Sequence, residues 1–308
     1  KTEVALRAAF KAVMNNKQVA MLVPTTILAE QHYATFKDRM KKFPVNIEML
    51  SRFRSEAEQK EIVAGIRGGS VDIIIGTHRL LSHDVSFRDL GLVIIDEEQR
   101  FGVKHKERLK RMRLLVDVLT LTATPIPRTL YMSLMGIKDM SVIDTPPENR
   151  IPVATKVAEF DERAIKKGIA RELKRGGQVF FVNNRIAGLN KLVERLKRIV
   201  PGAKIEEAHG QMPARELENI MIGFIKGKID VLVSTAIVQS GIDIPNATVM
   251  FIESADRFGL SQLHQFRGRV GRGKEQSYCM LLAENPSEVG RQRLDIIENN
   301  HDGFKLAE

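Results

Sequence analysis

The sequence has little of what several protein classes require. It contains no Trp, three Tyr and a single Cys among 308 residues. One thiol, Cys279, cannot form an internal disulfide, which is typical of a reducing compartment, so we expect a cytoplasmic location. No apolar run approaches the roughly 20 residues of a membrane-spanning helix, and we expect no membrane partner. The seven His residues have no partner at zinc-ligand spacing.

The charge and the shortage of aromatic side chains bear on the partner. Lys and Arg number 48 against 38 Asp and Glu, a net charge of +10. Such an excess favours a polyanion, most commonly nucleic acid. The alternative is a basic protein without such a partner. Few aromatic residues disfavour binding of single strands by base stacking, so double-stranded DNA is the favoured form.

Short apolar runs rich in Val and Ile alternate with longer amphipathic stretches. Continuous runs are typical of strands buried on both faces of a parallel sheet. The intervening stretches predict helices over residues 26–40, 55–67 and 190–199. Alternation of strand and helix indicates an α/β fold. The predicted strands are residues 19–23, 71–75, 92–95, 116–121, 179–182, 231–233 and 249–252.

A proline-rich segment divides the chain. Residues 144–152 (DTPPENRIP) contain Pro146, Pro147 and Pro152, which disfavour both helix and strand pairing. We therefore predict a first lobe over residues 1–145, a linker over 146–152 and a second lobe over 153–290. Residues 291–308 are polar and partly helical in pattern, and we expect them to begin a further element.

Two strings of the first half carry residues suited to phosphate chemistry. Lys1 and Thr2 precede a helical pattern, and a phosphate-binding loop ends in this way. Its Lys reaches the β- and γ-phosphates and its hydroxyl binds Mg²⁺. Asp96 and Glu97 close an apolar run, where ligands bind in such folds. Asp96 can hold Mg²⁺, and Glu97 can orient or deprotonate the attacking water. The alternative is an ordinary acidic turn.

Hydroxyl residues close the next apolar run. Thr122 and Thr124 could hydrogen-bond the acidic pair and couple its occupancy to the rest of the molecule. The alternative is a helix cap, because Thr124 stands before Pro125.

The second half contains the string from Gln265 to Arg272 (QFRGRVGR). Arg269 and Arg272 are three apart and would share a face of a helix. Two guanidinium groups in that arrangement could act as arginine fingers on a transferred phosphate. The alternative is a basic loop that binds RNA or phosphate. Asp243, in the string Gly241 to Pro245, could hold a ribose hydroxyl or one of these arginines.

Hydroxyl residues also follow several other strands and could contact the phosphates of a nucleic-acid backbone. The alternative is that each is a helix cap. His32, His78 and His209 lie near these strings, and we predict surface or capping roles for them. The candidate phosphate contacts are Thr25, Thr26, Gly76, Thr77 and Thr235.

In their order along the chain, these strings resemble the motifs of helicase superfamily 2. The resemblance implies two RecA-like lobes, each a parallel sheet flanked by helices, with ATP and Mg²⁺ in the cleft between them. It implies catalytic roles for Glu97, Arg269 and Arg272. It places ATP at Lys1, Thr2, Gly241, Asp243 and Gln265, Mg²⁺ at Asp96 and Thr2, and DNA also at Arg52, Asn184 and Arg185.

Longer strings, among them Ser51-Arg52-Phe53-Arg54 and residues 76–81, 96–103 and 121–130, resemble the bacterial transcription-repair coupling factor family. That resemblance implies an ATP-dependent translocase on double-stranded DNA that displaces stalled RNA polymerase. Contacts with the polymerase and with excision-repair proteins would come from other domains.

Two alternatives stay open. RecG-type fork-reversing helicases share most strings. Their acidic string reads Asp-Glu-Gln-His, whereas the last two residues of the corresponding string in this sequence are Glu98 and Gln99. The Gly-rich loop of a phosphate-binding motif does not precede Lys1 in the sequence. We therefore also consider a catalytically incomplete DNA-binding fragment.

Overall fold

The computed structural model describes residues 1–52, 54–98, 101–102, 116–122, 139–143, 151–239, 241–271, 273 and 275–300. The chain divides into two compact units, Lys1–Asp139 and Met140–Glu308. Most of the predicted linker and the last eight residues of the predicted terminal element lie outside the described residues. The predicted domain limits therefore stay predictions.

The first unit is built on a five-stranded parallel sheet in the order β2-β3-β1-β4-β5. Its strands are β1 (Gln18–Leu22), β2 (Ile47–Leu50), β3 (Ile73–Gly76), β4 (Leu90–Asp96) and β5 (Asp117–Leu121). Its helices are α1 (Thr2–Met14), α2 (Thr26–Met40) and α3 (Glu56–Gly68), with a 3-10 turn at His78–Leu81.

The second unit has a six-stranded parallel sheet in the order β6-β11-β10-β7-β9-β8. Its strands are β6 (Ala154–Ala158), β7 (Gln178–Val182), β8 (Ile205–Ala208), β9 (Val231–Ser234), β10 (Ala247–Ile252) and β11 (Tyr278–Leu282). Its helices are α4 (Glu162–Lys174), α5 (Leu189–Ile199), α6 (Ala214–Ile225), α7 (Leu260–Arg267) and α8 (Glu288–Asn299). Each unit is thus an α/β lobe, and the predicted fold class is confirmed.

Six of the seven predicted apolar runs became interior strands, and the run at residues 116–121 became the edge strand β5. Every residue of β1, β7 and β10 is buried, as expected for strands covered on both faces. The sequence pattern did not predict β2, β6, β8 or β11. Three of these lie at sheet edges, where strands have solvent on one side and tolerate polar residues such as those of β8 (IEEA). The periodicity of an edge strand is therefore weak.

Local capping explains where the predicted helices begin. α2 spans the predicted residues 26–40, and the Thr25 hydroxyl at its N-cap accepts a hydrogen bond from the Leu28 N–H at 3.3 Å. α3 begins with a reciprocal capping box between Ser55 and Glu58. It ends at Gly69, whose φ of 82° suits glycine.

A buried glutamine plays the same part in both lobes. Gln18, at the start of β1, donates from Nε2 to the carbonyls of Ile66 and Val71 at 3.0 and 2.8 Å. Gln178, at the start of β7, donates to the carbonyls of Phe224 and Ile229 at 2.6 and 2.7 Å. Each amide ties the end of a helix to the approach of the neighbouring strand. The two halves therefore share a structural feature, a buried glutamine at the start of an interior strand.

Two further observations concern the apolar parts of the chain. Among the described helices, none combines the length and the apolar character needed to cross a bilayer. Cys279 is fully buried in β11, and burial raises the pKa of its thiol to about 12, so the thiol is not a reactive nucleophile.

Gly76 ends β3 where there is no room for a side chain. A Cβ there would lie 2.5 Å from the Leu50 carbonyl oxygen and 2.9 Å from Leu80 Cγ. We predict that Gly76→Ala lowers the free energy of unfolding by about 1–3 kcal/mol, because backbone and core would have to shift. Urea-induced unfolding followed by circular dichroism measures this.

Gly68→Ala is the matched control, because nothing lies within 4 Å of a Cβ added at that last residue of α3. It should be neutral or stabilise by up to about 1 kcal/mol. Equal losses for both variants would contradict the steric explanation.

Candidate active site

A strained turn at the end of β4 places the acidic pair. Asp96 is the last residue of β4 and pairs in register with Leu121 of β5. Glu97 follows with a φ of 53°, a left-handed conformation that costs a residue with a side chain about 1–2 kcal/mol. Its N–H donates to the Leu121 carbonyl at 2.9 Å, which holds the turn. Such strain is typical of functional sites.

Lys1 lies against both carboxylates. Its Nζ is 3.0 Å from Glu97 Oε1, with a hydrogen bond, and 3.6 Å from Asp96 Oδ1. Lys1 is also the N-cap of α1, and Thr2 is the first residue of that helix. The N-terminus of a helix attracts anions through its unpaired N–H groups and its dipole. Three predicted site residues, Lys1, Asp96 and Glu97, thus lie together, and Thr2 is the next residue of the chain after Lys1.

Burial and charge act in opposite directions on Asp96, which is 7% exposed. Burial raises the pKa of its carboxyl. His32 and Lys1 lower that pKa by more than burial raises it, so the pKa lies below its ordinary value. Asp96 is therefore held as a carboxylate at neutral pH. The nearby His32 is 8% exposed, with Nε2 3.5 Å from Asp96 Oδ2. The predicted surface or capping role of His32 is wrong, because α2 turns this residue toward the sheet.

The acidic pair suits Mg²⁺. Asp96 Oδ1 is buried and accepts no hydrogen bond from the described residues. An ionised oxygen without a donor is an available ligand, and Mg²⁺ in phosphoryl-transfer sites uses one or two carboxylates together with substrate phosphates. The described residues hold no group of three or more His, Cys, Asp or Glu side chains suited to a metal. The donor-free oxygen of Asp96 nevertheless fits an open Mg²⁺ site of this kind, and Thr2 follows Lys1 directly in the chain.

Of the two predicted coupling residues, only Thr122 belongs to the described part of the chain. Thr122 directly follows β5, one residue after the Leu121 carbonyl that holds the Glu97 turn. It is half-buried. Thr124 lies outside the described residues. Phe101, after the acidic turn, is 6% exposed and belongs to the core of this lobe.

The candidate DNA contacts of the first lobe differ in exposure. Thr26 and Thr77 are 6% and 7% exposed, so their side chains are largely covered. Thr25 is half-buried at the N-terminus of α2, and Arg52 is exposed in a turn after β2. Thr25 caps its helix as an acceptor, which leaves its O–H to donate to a phosphate. Gly76 lets β3 pass close to Leu50, a structural reason for glycine there.

The arginine string of the second lobe is not one continuous helix. α7 ends at Arg267, and Gly268 is its C-cap. The expectation that Arg269 and Arg272 share a helix face is therefore wrong, since Arg269 lies beyond the helix end. Arg269 is 6% exposed, and Gln265 is half-buried on α7. Arg272 lies outside the described residues.

Sequence reasoning gave Arg267 no separate role. Its Nη1 donates to the carbonyls of Ile297 and Asn300, both at 2.7 Å. Its Nη2 lies 3.1 Å from His264 Nδ1. This buried guanidinium therefore links α7 to the C-terminal end of α8. A positive charge at the carbonyl end of a helix is favourable.

The remaining predicted residues of the second lobe lie after its strands. The 3-10 turn Ala236–Gln239, after β9, contacts α7. Asp243 is exposed, Gly241 is half-buried with a φ of 28°, and Thr235 is half-buried. None of these positions identifies a ligand, so their roles stay predictions.

A loop after β7 is shaped by a half-buried carboxyl group, that of Glu253. Asn183 donates from Nδ2 to Glu253 Oε2 at 2.8 Å, and its Oδ1 accepts from the Arg185 N–H at 3.1 Å. Burial raises the pKa of Glu253, although Arg195 opposes this. Asn184 and Arg185 are exposed beside this anchor. The two candidate DNA contacts therefore lie on a loop whose backbone is anchored to Glu253 through Asn183.

Comparison with known proteins gives a helicase match in each half of the chain. The DEAD/DEAH box helicase family matches residues 1–133, and the helicase conserved C-terminal domain matches residues 162–274. Proteins named transcription-repair-coupling factor are 56% identical in Staphylococcus haemolyticus and 53% identical in Bacillus subtilis, over 100% of this chain. The chain spans 27% of the length of these curated relatives.

Solved structures give the same fold. RecG bound to a three-way DNA junction has a TM-score of 0.80 and 40% identity, covering 94% of this chain and 39% of that one. The helicase MrfA bound to DNA and AMPPNP has a TM-score of 0.67 at 18% identity, covering 94% and 45% of the two chains, and supports the fold alone. With a helicase family matched in each half and the acidic pair beside Lys1, the chain belongs to the superfamily 2 helicases and translocases.

Proposed function

We propose that this chain is the ATP-driven motor of a transcription-repair coupling factor, which moves along double-stranded DNA and displaces stalled RNA polymerase. The cluster of Lys1, Asp96 and Glu97 carries the enzymatic part of this proposal. The identity above 50% to proteins of that name supports the choice within the superfamily. Contacts with polymerase and with excision-repair proteins are proposed for other parts of the whole protein.

The residues of the first lobe divide the chemical work. Bound Mg²⁺ would neutralise phosphate charge, and Asp96 and Thr2 would hold it. The Lys1 ammonium, now paired with two carboxylates, is positioned to exchange them for the phosphates of ATP. Glu97 would then be released to orient the attacking water and take its proton. Its strained turn aims the side chain without a later rearrangement.

Other residues complete the proposed reaction. Gln265, Gly241 and Asp243 are proposed to contact the nucleotide. Arg269 and Arg272 are the proposed arginine fingers, which in related reactions raise rates about 10³–10⁵-fold. Thr122, fixed next to the acidic turn by β5, is the proposed coupling residue together with Thr124.

Phosphate contacts are proposed to hold the DNA. Arg52, Asn184 and Arg185 are exposed, and Thr25 offers a hydroxyl at a helix N-terminus. Thr26, Gly76, Thr77 and Thr235 complete the proposed set. Contacts to phosphates carry little sequence information and weaken with salt. Such a grip suits a motor that must pass over any sequence.

A RecG-type branch-migrating helicase is the second candidate, favoured by the 40% identity and by the TM-score of 0.80. The two functions differ in their DNA substrate. Displacement of a polymerase stalled on linear duplex supports the first, whereas preferential unwinding of three-way junctions supports the second. A fragment that binds DNA without hydrolysing ATP is the third candidate, and DNA-stimulated hydrolysis by the chain itself would eliminate it.

We predict that Glu97→Gln in the full-length protein lowers DNA-stimulated ATP hydrolysis at least about 100-fold, because the amide cannot take a proton from water. ATP binding should persist, since Lys1 and Asp96 are unchanged. Phosphate release and equilibrium nucleotide binding measure the two effects. Glu61→Gln, the same change on an exposed face of α3, is the control. Hydrolysis at the control's rate by the Glu97 variant would contradict the assigned role.

We further predict that Arg185→Ala weakens duplex binding similarly for all sequences and reduces the slope of log affinity against log salt by about 1. The reason is the loss of one phosphate contact and its released counterion. Fluorescence anisotropy across a salt series measures both quantities.

Arg198→Ala is the control for Arg185. Arg198 is exposed in the last turn of α5, at the opposite end of the helix from the loop. Its removal should leave the slope unchanged. Identical slopes for both variants would count against a DNA contact at Arg185.

A further inference from the structure

Helix α2 connects two parts of the proposed motor. Thr25, a proposed phosphate contact, caps its N-terminus. His32 follows seven residues later, which at 3.6 residues per turn returns to nearly the same face about 10 Å along the axis. His32 belongs to the buried stripe of this helix, together with Ala29, Phe36 and Met40. One rigid element therefore carries a candidate DNA contact at one end and a buried imidazole two turns on.

The imidazole faces the acidic pair without completing a hydrogen bond. His32 Nε2 lies 3.5 Å from Asp96 Oδ2, and among the described residues it has no hydrogen-bond partner. Asp96 Oδ1 likewise accepts no hydrogen bond there. The imidazole packs edge-on against Phe36, with the ring centroids 6.5 Å apart. Buried polar atoms usually have partners, so an incomplete pair beside a candidate metal ligand needs a functional explanation.

Neither ordinary role of a histidine explains this one. A surface histidine would be exposed, and His32 is 8% exposed. A core histidine would have its ring nitrogens satisfied, and Nε2 is not. An approach of roughly 0.6 Å would bring Nε2 to the ordinary distance of about 2.9 Å from Asp96.

We propose that His32 is a positioning residue for Asp96, and that α2 transmits DNA contact at Thr25 to the metal-binding carboxylate. The proposal rests on the proposed function. When DNA engages the N-terminus of α2, the helix moves as a unit and the Nε2–H donates to Asp96 Oδ2. That hydrogen bond orients Oδ1 toward the metal. Hydrogen bonds to ligating carboxylates are commonly worth about 10–100-fold in metal affinity or activity.

The test measures metal binding directly in the full-length protein. Mn²⁺ replaces Mg²⁺, and its free fraction is followed by electron paramagnetic resonance with a non-hydrolysable ATP analogue, with and without linear duplex DNA. In the wild type, DNA should tighten Mn²⁺ binding about 10-fold or more. Unchanged affinity on adding DNA would overturn the proposal whatever any variant does.

Two substitutions separate the hydrogen bond from packing. His32→Phe keeps an aromatic ring against Phe36 but lacks the donor, so it should abolish the DNA-dependent gain in Mn²⁺ affinity. His32→Gln carries an amide donor near the position of Nε2 and should restore most of the gain. Equal losses with and without DNA in both variants would mean a structural role only and would overturn the proposal.

The failures of the two proposals are distinguishable. DNA-stimulated ATP hydrolysis by the wild type together with a DNA-independent Mn²⁺ affinity would leave the motor standing and remove only the coupling through His32. A wild type that neither binds duplex DNA nor hydrolyses ATP would overturn both.

Discussion

Parallel strand pairing is the constraint on which the rest of this molecule depends. Every described strand pair in both sheets is parallel. Strands that run the same way end at the same edge, so residues that follow different strands become neighbours. Thr25, Gly76, Asp96 and Thr122 each stand at or just after the end of a first-lobe strand. The buried amides of Gln18 and Gln178 hold the opposite edge, where the chain returns from a helix.

The charges at that edge are arranged for exchange. One ammonium, Lys1, faces two largely buried carboxylates. Burial opposes ionisation of Asp96, and Lys1 and His32 more than offset it. The site therefore holds two carboxylates and one ammonium, and Asp96 Oδ1 accepts no hydrogen bond from the part of the chain that the structure describes. In the proposed function, such a cluster would accept a divalent cation while its lysine moves to phosphate, which is the electrostatic logic of phosphoryl transfer.

Much of the fold and part of the site could be predicted, for reasons that differ by element. β1, β4 and β7 were predictable because burial on both faces demands continuous apolar runs. β2, β6 and β8 were not, because these edge strands are short and carry polar residues without a clear period, whereas the edge strand β5 lies within an apolar run long enough to be predicted. Asp96 and Glu97 stood out since acidic residues directly follow a buried strand. His32 had no such signal, because the other positions on the buried stripe of α2 hold ordinary core residues and nothing in the sequence set this one apart.

The sequence by itself determined the fold class, the order of the elements and the residue types available for phosphate chemistry, because local periodicity and strand-end motifs depend on near neighbours along the chain. Tertiary structure decided which of them meet. Lys1 reaches Glu97 across 96 positions, the Glu97 turn is held by a carbonyl of β5, and Arg269 leaves the helix that its spacing suggested. Long-range contacts such as the first two are not recorded in local periodicity, and the spacing of the arginines alone did not show that α7 ends at Arg267.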